Sequence, residues 1–126
     1  MREIKFRGFS EQQNKWIYGG YHKPFEDISQ IIENIKNNAS QMSLIKNGTE
    51  GQFTGLQDKN GVDIYDGDVC NFKGHICIVV WRENFCDFTF NIAKWNSRLL
   101  NVTKSNVTAH NCEVIGNIHE NQNLLK

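Results

Sequence analysis

The residues of this 126-residue chain best suited to chemistry by type are its four cysteines, its four histidines and a string of aspartates. Cys70, His75 and Cys77 lie close together and His110 and Cys112 form a second pair, so zinc is the first chemistry to weigh. The spacing argues against it. No Cys-x-x-Cys knuckle occurs, and residues two apart on a strand share a face at a separation too long for the usual chelate. Packed thiols and surface histidines account for the same residues. Asp58, Asp63, Asp66 and Asp68 supply oxygen ligands. With Asp58 opening a calcium loop, however, Gly61 falls fourth rather than sixth, and Val69 stands where the twelfth-position Glu belongs. Turn-forming and solvent-facing acids explain that run better. No Gly-x-Ser-x-Gly elbow, Walker loop, dinucleotide fingerprint or His-Glu-x-x-His is present. The expectation is a non-enzymatic protein with no catalytic residue, no metal site and no cofactor.

A second set of residues is suited to binding. Arg2, Lys5 and Arg7 stand near the N-terminus, and Trp16, Tyr18, Phe53 and Tyr65 supply rings. Small β folds bind single-stranded nucleic acid by stacking bases on aromatic platforms beside cationic grooves. Aromatic residues beside glycine turns also form a concave lip around a peptide or other ligand. Fourteen basic against fourteen acidic side chains leave no net charge, with a pI near 6.9, so no bulk positive field draws the chain to nucleic acid or anionic lipid. Structurally, the same rings read as core and the alternating charges as a solvated strand face.

Period-two alternation positions these residues. Ile4 and Phe6 face one way and Glu3, Lys5 and Arg7 the other; after a polar turn over residues 10–14, Trp16, Ile17, Tyr18 and Tyr21 return as a second strand. Gly19-Gly20 marks a bulge or a close backbone approach there. Beyond the sole proline, Pro24, Ile28, Ile31, Ile32 and Ile35 take the i, i+3, i+4, i+7 spacing of a helix face and predict one short helix over residues 27–37. Residues 38–51 read as a polar loop with one edge strand at Leu44 and Ile45. Asp58-Lys59-Asn60-Gly61 predicts a type I turn in which the Asp side chain bonds the backbone and Gly takes a positive φ. A turn centred on Lys73-Gly74 sets Cys70 opposite Cys77 in a hydrogen-bonded pair, Cα atoms about 5.5 Å apart and side chains splayed, which favours packed thiols over a bridge.

Residues 76–81 are apolar on both faces, as in a central strand, and Glu83-Asn84 turns into a strand carrying Cys86, Phe88, Phe90 and Ile92 on one face. The near-repeat Asn101-Val102-Thr103 and Asn106-Val107-Thr108 suggests a small hairpin, and residues 114–118 close the chain as a last strand. About seven short strands with one helix make a mainly β fold, a small SH3-like or partly open antiparallel β-barrel with one short helix.

Length and a 39% hydrophobic composition suit one globular domain over residues 1–126. The N-terminal residues lack the apolar core of an export signal, and the longest apolar run, residues 76–81, falls far short of the roughly 18 residues of a membrane span. No membrane partner and a cytoplasmic location with reduced cysteines are therefore expected. An exposed edge strand and an apolar patch, which this architecture readily leaves over, suffice for a protein partner or for a homo-oligomer.

Three stretches carry a family resemblance. They are Met1-Arg2-Glu3-Ile4-Lys5-Phe6-Arg7-Gly8 with Trp16-Ile17-Tyr18-Gly19, the central run from Gly51-Gln52-Phe53-Thr54-Gly55 through Asp58-Lys59-Asn60-Gly61 to Asp66-Gly67-Asp68-Val69, and the closing Glu113-Val114-Ile115-Gly116-Asn117-Ile118-His119-Glu120-Asn121. In this order they resemble the YopX-like proteins of phages and prophages of Gram-positive bacteria. Residues 28–35 and 85–110 follow no motif of that family. The resemblance implies a compact, mostly β fold with an SH3-like or partly open barrel, phage-encoded and acting in the cytoplasm of the infected bacterial host. It implies no established activity, so no catalytic residue is carried over. The expectation is an accessory protein that binds a host or phage protein, with a nucleic-acid-binding β-barrel as the alternative. Gly55, Gly61 and Gly67 as turn residues and Phe53, Leu56, Ile64 and Tyr65 as core contacts give the central motif a purely structural reading.

Overall fold

Isoleucine, valine, threonine and aromatic side chains spaced two apart favour extended backbone, and eleven strands form among the described residues. The computed structural model describes residues 4–35, 37, 39–84, 86–92, 97–101, 110–121 and 123. The chain packs into two compact units, Met1–Phe53 and Thr54–Lys126, with the boundary inside one strand.

The first unit holds β1 (Phe6–Ser10), β2 (Lys15–Phe25), β3 (Ile28–Asn34), β4 (Ser40–Ile45) and the first residues of β5 (Gly51–Gln57). They lie in the order β4-β3-β2-β1-β5, antiparallel at each described pairing. Residues opposite one another share a face. Phe6, Ile17, Tyr21, Ile31 and Ile45 accordingly gather on one side as a small core. Ile45 lies directly over Gly8, where a Cβ would collide with its side chain. Strand curvature brings the residue after β4 back to β1: Lys46 N–H donates to Phe9 O at 2.8 Å, and Phe9 N–H donates to Thr49 Oγ1 at 3.1 Å. Gly19 supplies the close backbone approach expected of the Gly19-Gly20 pair, since a Cβ there would strike Ile32 O.

The helix expected over residues 27–37 is instead β3. Its isoleucines divide between the two sides, Ile31 into the core and Ile32 onto the outer face, while β2 and β4 pair with it on either edge. A helix would satisfy only its own backbone, whereas this sandwiched position bonds β-branched residues to two neighbours and buries Ser29 and Ile31 together. Nor is the expected SH3-like barrel found as a closed one. The described pairings form antiparallel sheets, and none of them joins one edge strand to the other.

The second unit contains the remainder of β5, β6 (Asp63–Tyr65), β7 (Asp68–Phe72), β8 (His75–Arg82), β9 (Asp87–Ile92), β10 (Ser97–Asn101) and β11 (Cys112–Asn117). The last five form a sheet in the order β10-β9-β8-β7-β11, with β8 central as its two apolar faces require. Cys70 opposes Cys77 and Phe72 opposes His75, in the register expected from the Lys73-Gly74 turn. Ile64, Cys70, Cys77, Val79, Phe88, Phe90 and Cys112 make the core, with Trp81 packed on Phe88 at a ring separation of 4.9 Å. Each large side chain removed from water here contributes about 1.5–3 kcal/mol. Arg82 and Asp87, opposite each other where β8 and β9 begin to pair, close that hairpin with a two-pronged ion pair at 2.6 and 2.7 Å. Cys86 departs from expectation: it sits exposed in the turn with φ of 51° and does not share the face of Phe88 and Phe90. The hairpin expected from the repeated Asn-Val-Thr triplets falls, beyond Asn101, on residues outside those described.

Candidate functional site

The outer face of the first unit collects most of the binding residues expected from the sequence. Register places Arg7 opposite Tyr18 and Phe9 opposite Trp16. Phe53 N–H donates to Lys5 O at 2.9 Å, which sets Phe53 beside Lys5 on the same side. Lys5 Nζ lies 4.6 Å from the centre of the Phe53 ring, and the Arg7 guanidinium lies 4.9 Å from that of Trp16. Both are cation–π contacts within the molecule. Phe9 meets Trp16 edge-on at 5.5 Å. Arg7 and Phe53 are buried, each 7% exposed, whereas Tyr18 is 49% exposed. Arg7 therefore is not the solvated strand residue its alternation suggested. Tyr65 belongs to the second unit and is buried at 3%. Arg2 lies outside the described residues.

The same face continues across residues that alternation alone did not mark. Gly20 opposes Ile32, Ile32 opposes Met42, and Gln30 opposes Leu44. Met42 and Leu44 are 51% and 56% exposed. Their signal in the sequence is Met-Ser-Leu-Ile, apolar residues interleaved with serine in a stretch otherwise polar. The result is a surface on which Tyr18, Met42 and Leu44 are exposed and Ile32 is half-buried, with half-buried Lys5 and buried Arg7 toward one end.

In the second unit the aspartates build turns. Asp58 Oδ1 accepts hydrogen bonds from the N–H groups of Asn60 (2.8 Å) and Val62 (2.9 Å), and Oδ2 accepts from Val114 N–H (2.9 Å). Gly61 has φ of 80°, as the expected turn requires. Burial opposes ionisation of Asp58, but the three backbone donors and neighbouring Lys59 outweigh it and hold the carboxyl below its usual range. Asp68 Oδ2 accepts from Tyr65 N–H at 2.8 Å, and Asp63 accepts from Gln57 Nε2 at 3.0 Å. Further backbone bonds run from Lys59 N–H to Cys112 O and from Ile118 N–H to Gly67 O. Asn121 Oδ1 accepts from Asn117 N–H and occupies the space that a Cβ on Gly116 would need.

Cys70, Cys77 and Cys112 are free thiols in one core cluster. Burial pushes Cys77 up to about 11. Burial, with Cys77 and Asp58 nearby, pushes Cys112 to about 12, and Cys70 is raised by burial and then by Asp68 and the two other thiols. Such groups stay protonated and are poor nucleophiles and poor ligands. Among the described residues no group of three or more His, Cys, Asp or Glu is arranged to hold a metal ion, and no helix is long and apolar enough to cross a membrane.

A family model described as YopX protein matches residues 5–126. The chain belongs to the YopX family. One solved structure similar to it is that of protein EF1440 from Enterococcus faecalis, with 20% identity over the whole of both chains and a TM-score of 0.57. That likeness concerns the fold. No curated protein matches the chain. In this YopX chain the central and closing motifs are bonded to each other through Asp58–Val114, Lys59–Cys112 and Gly67–Ile118. The polar groups in those bonds tie the two motifs together within the second unit.

Proposed function

We propose that this YopX protein is a non-enzymatic, phage-encoded binding module, acting in the cytoplasm of the infected bacterium on a host or phage protein. The observation that carries this reading is the row of exposed Tyr18, Met42 and Leu44 with half-buried Ile32 on the outer face of the first unit. Apolar side chains lined up on an open sheet face suit a protein surface, and the burial they gain on contact is largely insensitive to salt. The use of the motif aspartates in turns supports the same reading, since it leaves those carboxylates no evident catalytic work.

Nucleic-acid binding is the second reading, favoured by Lys5 and Arg7 on the same face as exposed Tyr18. Against it, Arg7 and Phe53 are buried, which leaves little open stacking surface.

The test is affinity capture by the tagged protein from infected cells, with and without nuclease, washed at low salt and at about 0.5 M salt. A discrete protein that survives nuclease and salt, and is lost with Tyr18→Ala combined with Ile32→Thr, is the expected result. Recovery of DNA or RNA that disappears at high salt transfers the assignment to the second reading.

A further inference from the structure

We propose that Asn60 is a self-modification site: in the folded protein its side-chain amide is lost by attack of the Gly61 backbone nitrogen, and the reaction unfastens the turn that anchors β11. This stands apart from partner binding and does not rest on it.

The chemistry belongs to Asn-Gly pairs, of which the chain has Asn47-Gly48 and Asn60-Gly61. The glycine nitrogen attacks Asn Cγ, its proton passes to solvent base, and the side-chain nitrogen departs as ammonia, leaving a cyclic succinimide. Water then opens either carbonyl of that ring, giving aspartate or, with the main chain rerouted through Cβ, isoaspartate. The net change is a water consumed and an ammonia released. Glycine favours the step because no Cβ hinders its nitrogen and its backbone reaches conformations closed to other residues. Both glycines qualify, with φ of 88° at Gly48 and 80° at Gly61, and the space where a Cβ would stand is empty at each.

The side chain separates the two pairs. Asn47 is held at both ends: Ser29 Oγ donates to its Oδ1 at 2.7 Å, and its Nδ2 donates to Asp27 O at 2.9 Å. Ser29 is itself buried, so swinging Asn47 Cγ onto Gly48 N takes the short bond away from a hydroxyl shielded from water. Asn60 differs. It is exposed, and among the described residues its only hydrogen bond runs from the backbone N–H to Asp58 Oδ1 at 2.8 Å, which leaves the carboxamide in water. Attack has one bond to open, Gly61 N–H to Asp58 O, and at 3.1 Å it is the longest in the turn.

The consequence follows from Asp58, which accepts from Asn60 and Val62 through Oδ1 and from Val114 through Oδ2. Aspartate at residue 60 places a second negative charge beside this carboxylate. Isoaspartate also lengthens the main chain just before Gly61, so Asn60 N–H and Val62 N–H no longer meet the same oxygen and Val62 O no longer meets Asp58 N–H. The carboxylate then leaves its place against Val114, and β11 loses an anchor.

The experiment is incubation of the intact chain in mildly alkaline buffer, native and in urea, followed by peptide mapping that separates aspartate from isoaspartate. In urea both Asn-Gly pairs should react at similar rates. In the native protein Asn60 should react at least about tenfold faster than Asn47. Ser29→Ala, which releases Asn47 Oδ1, should narrow that gap by speeding Asn47 alone. The isolated isoaspartyl form should show faster hydrogen exchange at the Val114 amide than the unreacted protein. Equal rates at the two sites in the native protein, an Asn60 inert when folded yet reactive in urea, a gap that Ser29→Ala leaves untouched, or an unchanged Val114 amide would each overturn the proposal.

Discussion

Val114 N–H donates to Asp58 Oδ2 at 2.9 Å across 56 residues of chain, so one carboxylate in the central turn also anchors the last strand. Removing it leaves three backbone N–H groups without their acceptor. Asp58→Ala should destabilise the protein by about 3 kcal/mol or more, measured by urea unfolding. Asp58→Asn should cost less, because its one remaining oxygen can still accept from Asn60 and Val62 while its NH2 group faces the Val114 donor. The carboxyl is held below its ordinary value of 3.8 in the folded state. Its contribution is therefore complete above that value and is lost as pH falls through the lower folded value. The acid limb of the stability curve should flatten in Asp58→Asn.

The thiols predict the opposite limb. Cys77 and Cys112 ionise only near 11 and 12 when folded, against 9.0 for the free group. The unfolded chain thus loses protons first on the alkaline side, and stability should be intact below about pH 9 and fall as pH rises beyond it. Labelling with a thiol reagent at pH 8 should modify exposed Cys86 quickly, and Cys70, Cys77 and Cys112 only at the rate of unfolding. Rapid labelling of all four in the native protein would contradict the buried cluster.

Adjacent glycines should respond differently to the same methyl group. At Gly19 a Cβ meets Ile32 O, a backbone atom that cannot move without dragging β3, and Gly19→Ala should cost about 2 kcal/mol or more. At Gly20 the nearest atom is Ile32 Cβ at an ordinary 4.0 Å, and Gly20→Ala should stay within about 1 kcal/mol of the parent. Thermal melts of the two variants check this contrast.

Hydrogen exchange should resolve the alternation along β4. In dilute solution the amides of Gln41, Ser43 and Ile45 should be protected by β3, and Lys46 by Phe9 O. Those of Met42 and Leu44 should exchange quickly. Equal protection along the strand would mean that its two edges are both bonded within one molecule.

Local features are legible in the residues themselves. Asp58-Lys59-Asn60-Gly61 closes its turn through contacts at most four residues apart, and the Lys73-Gly74 turn sets Cys70 against Cys77 by counting outward from it. Each depends on bonds that the turn itself supplies, so residue type and spacing are enough. The aromatic and basic residues are also recognisable as a set, and Lys5, Arg7, Trp16, Tyr18 and Phe53 do share a face. Their burial is not recognisable, because a strand's alternation says which residues lie together and not which side is covered.

By itself, then, the sequence determined a mainly β chain of YopX type, its turns and the register of its central hairpin, because short-range chemistry decides these. Tertiary structure alone decided that residues 28–34 are a strand, that Arg7 lies against Trp16, and that Asp58 reaches Val114. Ile28, Ile31, Ile32 and Ile35 fit a helix face or the two sides of a strand equally well. The choice falls to whichever neighbours bond the backbone and bury the side chains, and here those neighbours are β2 and β4.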